Sequence, residues 1–120
     1  MKSYKDLIVW QKSVNLCVEI YKATEKFPKS EIYGLSSQMR RSSVAIPSNI
    51  AEGQRRGYTN EYIQFLRIAF SSGAELETQL TIALQVEYLK KSSFNDLNSK
   101  LEEIMKMLNK LIQVLLHPTH

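Results

Sequence analysis

The stretch Phe94-Asn95-Asp96-Leu97-Asn98-Ser99-Lys100-Leu101-Glu102-Glu103-Ile104-Met105-Lys106-Met107-Leu108-Asn109-Lys110-Leu111-Ile112-Gln113-Val114-Leu115 decides the fold. Phe94, Leu97, Leu101, Ile104, Leu108, Leu111 and Leu115 recur in steps of three and four, the spacing that lines one face of an α-helix. Such a seam has to be buried against another element, and none of the chain shows the strict alternation of a strand. Upstream, Tyr62, Leu66, Ala69, Gly73, Leu76, Leu80 and Ala83 keep the same rhythm, with small residues that let a neighbouring helix come close. Two earlier periodic segments complete the set. The expected helices cover about 4–27, 32–53, 60–90 and 93–116, with the first stopping before Pro28, a basic turn Gln54-Arg55-Arg56-Gly57-Tyr58 after Gly53, and the fourth opening at Ser93. Ser3 with Asp6 forms a possible capping box for the first, Thr59 or Asn60 caps the third, and Ser93 with Asp96 caps the fourth. Short connections make successive helices antiparallel, so the expected fold is all-α: an elongated up-down-up-down four-helix bundle in one domain spanning 1–120.

A chain of 120 residues with 43% hydrophobic and 23% charged residues builds one core and is not disordered. Its net charge of +4 favours an anionic partner slightly. The lone Cys17 cannot form an internal disulfide. The longest early apolar run is Leu7-Ile8-Val9-Trp10, and no segment reaches the ~20 apolar residues of a membrane span. A reduced cytoplasmic protein without a membrane partner is expected.

Helix 1 carries two apolar stripes. Leu7, Trp10, Val14, Cys17, Val18 and Tyr21 fall on one face, with Trp10 as a core anchor, and Val9, Leu16 and Ile20 gather roughly opposite. One bundle buries one stripe, so Val9, Leu16 and Ile20 are the expected oligomer interface. Met107 and Val114 on helix 4, with Ile68, Ile82 and Val86 on helix 3, add apolar residues off the seams.

Helix 2 breaks the usual rules through Pro47, which removes one backbone hydrogen bond and crowds the Ser43 carbonyl, so a kink is expected. Ser42, Ser43, Ser48 and Asn49 can satisfy freed backbone groups, with Glu52 completing a polar network. Arg40, Arg41, Arg55, Arg56 and Arg67 supply a cationic surface for phosphates, and Tyr58 and Tyr62 supply rings on which bases can stack. The same arginines could instead pair with Glu52, Glu61, Glu75 or Glu77. That structural role suits Arg40 and Arg56 best, and Arg41 and Arg55 are expected to face solvent.

The run Arg40-Arg41-Ser42-Ser43-Val44-Ala45-Ile46-Pro47-Ser48-Asn49-Ile50-Ala51-Glu52-Gly53 resembles the signature of the bacterial 23S rRNA intervening-sequence proteins. The resemblance extends through Leu7-Ile8-Val9-Trp10-Gln11-Lys12, Tyr33-Gly34-Leu35, the segment Glu61 to Ala69, and Glu75-Leu76-Glu77-Thr78. It departs at Ser72-Gly73, where a Gly-Ser order is expected. The resemblance implies an antiparallel bundle assembled as a closed homopentameric ring. It also implies an association with nucleic acid, because a related family, the accessory variability determinants of diversity-generating retroelements, is associated with reverse transcriptase and nucleic acid.

Enzyme chemistry finds no support in the residues. No Glu-x-x-His pair is present for a di-iron site, and His117 and His120 both lie in the tail around Pro118. There is no phosphate-binding glycine loop, no Cys-x-x-Cys, and no histidine near Ser42, Ser43 or Ser48 to act as a base. No metal or cofactor is expected. The sequence reading is therefore a non-enzymatic, self-assembling module that binds RNA in preference to DNA. The alternative is a protein scaffold whose partner, such as a reverse transcriptase, holds any nucleic acid. Tyr33 is a further stacking candidate, and Lys2, Lys5 and Lys12 could extend a basic face.

Overall fold

The computed structural model of the chain describes residues 3–118; Lys2 and His120 lie outside them. These residues form four α-helices with no strand: α1 (Ile8–Thr24), α2 (Leu35–Arg56), α3 (Thr59–Gln85) and α4 (Lys91–Leu116). They pack as a four-helix bundle with principal extents of 51 × 22 × 20 Å. Cross-helix partners occur in opposite chain order. Lys12 pairs with Glu103 and Glu19 with Lys100 between α1 and α4, while Ser42 meets Gln79 and Arg56 meets Glu61 between α2 and α3.

The α4 seam drifts as a straight helix must. Leu97, Leu101, Ile104 and Leu108 are buried, but the last core position is Ile112, with Leu111 and Leu115 only partly covered. A straight 3.6-residue helix falls behind a seven-residue repeat, so the buried line slides sideways by the last turns. In α3, Leu66, Ala69, Gly73, Leu76, Leu80 and Ala83 are buried in register, and Tyr62 is half-buried.

The assignment on α1 is reversed. Val9, Leu16 and Ile20 are 4%, 1% and 0% exposed within the single chain, so they belong to its core and cannot form a subunit interface. Their face is completed by Ser13 and Thr24, both buried. Each hydroxyl donates to a backbone carbonyl of the same helix, Ser13 to Trp10 and Thr24 to Ile20. A small hydroxyl satisfied within its own helix is cheap to bury, so this stripe outcompetes the larger one. Val18 and Tyr21 are left exposed, and Trp10 is half-buried with its ring edge-on to Tyr4 at 5.3 Å.

Several helix ends move relative to the sequence expectation. The Ser3–Asp6 capping box forms, but it closes a 3-10 turn, and extended backbone at Leu7 delays α1 to Ile8. α2 continues through buried Pro47 and past Gly53 to Arg56, ending at Gly57, whose φ of 80° only glycine adopts readily. Gly53 is buried where α2 meets α3. An added Cβ there would stand 2.6 Å from the Phe65 Cβ, so the helices approach too closely for any other residue without a shift.

α3 stops at Gln85, not Lys90. Glu87 takes a left-handed φ of 67°, its N–H reaches the Leu84 carbonyl and the Tyr88 N–H reaches Ala83. These are the two bonds of a Schellman motif, built here without glycine. Tyr88 then packs on Phe27 at 5.3 Å and donates its hydroxyl to Glu31 at 2.9 Å. Glu31 also accepts the Leu35 N–H at 3.0 Å, which caps α2 and ties the two loops of this end together. These bonds, the Leu35 N–H first, hold the Glu31 carboxyl below its ordinary value. A depressed folded pKa contributes stability above the ordinary glutamate value, and that stability is lost as pH falls through the folded value. Chemical denaturation at a series of pH values should show this acid loss in the wild type and a flatter profile in Glu31→Gln.

Candidate nucleic-acid interface

The candidate interface begins with what α2 does with its four arginines. Arg40 turns inward toward the end of α1. Its Nε donates to Thr24 Oγ1 at 2.9 Å, a terminal nitrogen reaches the Tyr21 carbonyl at 3.3 Å, and the guanidinium lies 4.6 Å over the Tyr21 ring. It satisfies a carbonyl of α1's last turn, where a cation is also favoured by the helix dipole. Arg56 is similarly occupied: it contacts Glu52 at 3.0 Å and Glu61 at 3.6 Å, and stacks 5.0 Å over Phe65. Both arginines fasten helices together.

Arg41, Arg55 and Arg67 are exposed, and among the described residues none has an ion-pair or hydrogen-bond partner. Arg41 and Arg55 share the outward line of α2 with Val44, Ser48 and Ala51. Fourteen residues separate them, roughly 21 Å along the helix. The expected single patch is therefore two separated points on one face, with Arg67 on α3. Tyr58, 71% exposed, stands at the α2–α3 turn beside Arg55, and Tyr33, 94% exposed, lies at the other end of α2. Tyr62 is half-buried, and burial pushes its hydroxyl pKa up, so it packs against the core with only part of its ring free.

The polar run of α2 is spent on the helix itself. Ser43 Oγ donates to the Arg40 carbonyl at 2.9 Å, and Asn49 Nδ2 donates to the Ala45 carbonyl at 2.8 Å. Ser42 Oγ lies within hydrogen-bond range of both the Gln38 carbonyl and the Gln79 side-chain amide. Both partners are acceptors, the Gln38 carbonyl and Gln79 Oε1, so the single Ser42 proton serves one of them at a time. Ser48 is exposed, and Glu52 is committed to Arg56.

Two apolar strips flank this face. On α1, Val18 and Tyr21 are exposed, and Tyr21 lies against Arg40 of α2. On α3, Ile68, Glu75 and Ile82 stand seven residues apart in one line, with exposed Val86 continuing it. Glu75 and Ser72 share a cleft with Gln38, Arg41, Ser42 and Ala45 of α2, which places that line on the α2 side of α3.

A family model described as 23S rRNA-intervening sequence protein matches residues 5–110. The chain belongs to the 23S rRNA-intervening sequence protein family. A solved structure, that of a protein of unknown function from the S23 ribosomal protein family of Bacteroides thetaiotaomicron VPI-5482, is 28% identical and superimposes with a TM-score of 0.80. The alignment covers 88% of this chain and 99% of that one. No curated protein matches. Membership of the 23S rRNA-intervening sequence family thus carries a fold and a name drawn from rRNA, and the solved relative carries no assigned activity.

Sequence reasoning missed two features of this family member. The first is the outward strip on α1, because Ser13 and Thr24 do not look like core. The second is a group of lysines, Lys22, Lys26 and Lys90, around one cleft at the α1–α4 end. Lys22 is in the last turn of α1, Lys26 lies in the turn that follows it, and Lys90 stands just ahead of α4. That spacing was visible, but not that the two segments meet. No helix among the described residues is long and apolar enough to cross a membrane. No group of three or more His, Cys, Asp or Glu side chains comes together among them as a metal site.

Proposed function

We propose that this chain is a non-enzymatic, self-assembling module that associates with nucleic acid, RNA in preference to DNA. The observation that carries the reading is the division of labour among the arginines. Arg40 and Arg56 are consumed by the fold, whereas Arg41 and Arg55 stand exposed on one helix face without an ion pair among the described residues, Glu75 lining the same cleft as Arg41. Unpaired guanidiniums on a rigid helix suit phosphate oxygens, and Tyr58 beside Arg55 offers a ring to an unstacked base.

Self-assembly is supported by the flanking strips. Val18 with Tyr21 on α1 and Ile82 with Val86 at the end of α3 are two different exposed apolar pairs on one subunit. Joining one to the other, copy after copy, is a head-to-tail contact, which closes into a ring when the rotation allows. The family resemblance supplies the number five. A ring repeats the Arg41–Arg55 face in every subunit, so weak contacts add through avidity. Ser42 and Ser43 have their hydroxyls engaged within the bundle, which suits a structural role for them.

The test is titration of labelled RNA with the assembled protein by fluorescence anisotropy. Binding that weakens with salt supports the reading. Flat titrations favour the second reading, a scaffold for a polypeptide such as a reverse transcriptase, to which the exposed apolar strips would also be suited.

A further inference from the structure

The cleft at the α1–α4 end has a volume of about 430 Å³ and is lined by Lys22 of α1, Lys26 in the turn after it, Tyr88, Lys90 ahead of α4, and Ser93. Glu19 and Asp96 also line it, but both are bound to Lys100, at 2.7 and 3.2 Å. The acids of the cleft therefore already hold a cation. Among the described residues Lys22, Lys26 and Lys90 have no ion-pair partner, so three positive charges face one concave space. The backbone adds to the same sign: the first turn of α4 contains no acid and no side-chain cap.

We propose that this cleft binds a phosphate monoester, either the terminal phosphate of a nucleic-acid strand or a free phosphate. A compact dianion seated in the cleft is within reach of three long, flexible lysine side chains on its lining, whereas a flat stretch of phosphodiester backbone does not enter a concave cleft. Tyr88 offers little here as a donor, because its hydroxyl is committed to Glu31, so recognition falls to the lysines and the Ser93 hydroxyl. The cleft shares no lining residue with the two clefts that Arg41 lines, and Arg55 lies at the other end of α2. Its occupation by a strand end rests on the nucleic-acid reading, whereas its occupation by free phosphate does not.

The experiment uses one single-stranded RNA sequence made with a 5′-phosphate or with a 5′-hydroxyl, titrated by anisotropy, and inorganic phosphate titrated by calorimetry. The wild type is expected to prefer the 5′-phosphate RNA by about tenfold, near 1.4 kcal/mol. Lys22→Gln/Lys26→Gln/Lys90→Gln, which changes only exposed side chains, is expected to erase that preference. Arg41→Glu/Arg55→Glu should weaken both RNAs and keep their ratio in any residual binding. Binding of inorganic phosphate that the lysine variant loses, without any preference between the RNAs, also supports the site and assigns it to a free phosphate. If neither the RNA end nor inorganic phosphate distinguishes wild type from the lysine variant, the proposal is overturned, whether or not RNA binds elsewhere.

Discussion

Val18→Glu/Ile82→Glu is expected to convert the assembled protein to a folded monomer. Both side chains are exposed in the single chain, so glutamate at either position leaves the core untouched and the helical signal and thermal transition close to wild type. At a subunit interface the same change buries carboxylates without partners, which costs several kcal/mol per group. Two such groups per junction offset most of the roughly 8 kcal/mol that a micromolar interface supplies, so micromolar protein should sediment as one species of 13.9 kDa. A control at the stripe first expected to mediate assembly, Leu16→Ala, should instead reduce stability by about 2–5 kcal/mol, because Leu16 is core. An intact oligomer in the double glutamate variant would remove the α1 and α3 strips from the interface.

Arg41→Glu/Arg55→Glu is expected to lower RNA affinity by at least a hundredfold at low salt. Each substitution removes a phosphate contact and places a negative charge where the backbone of the strand should lie, so attraction becomes repulsion on every subunit. Neither residue holds an ion pair in the fold, so stability should change little. Arg40→Glu makes the contrast. It loses the bonds to Thr24 and Tyr21 and should lower the melting temperature through the α1–α2 contact, whatever it does to RNA. Anisotropy and differential scanning calorimetry separate the two effects. Wild-type affinity in the Arg41/Arg55 variant would move the contact surface elsewhere on the bundle.

The helices were legible because their apolar spacing is written locally, and α3 and α4 place their seams close to where periodicity puts them. The errors came where the deciding fact was not local. On α1, counting apolar residues favoured the stripe through Trp10 and Val18. The buried face instead runs through Ser13 and Thr24, whose hydroxyls are satisfied by their own helix. The end of α3 was misread because Glu87, not a glycine, takes the left-handed position of the closing motif. On the candidate interface, the pairing of Arg56 with Glu52 and Glu61 followed from nearby carboxylates, whereas Arg40, expected to pair with a glutamate, is held instead by Thr24 and the Tyr21 carbonyl of α1. The separation of Arg41 from Arg55 was also implicit in helix geometry. The lysine cleft was not, since it exists only where the end of α1 meets the head of α4.

The most direct test of the account is whether the wild-type protein binds RNA and how that binding depends on salt. It is measured as anisotropy titrations of single-stranded RNA, structured RNA and duplex DNA from low to near-physiological salt. Two arginine–phosphate contacts from one subunit predict a slope of about −1.4 in log K against log salt on single-stranded RNA, steeper as more subunits engage. The account predicts binding at micromolar or tighter at low salt, at least that slope, and RNA ahead of DNA. Flat titrations at low salt, or affinity indifferent to salt, would contradict it and turn the search to a polypeptide partner.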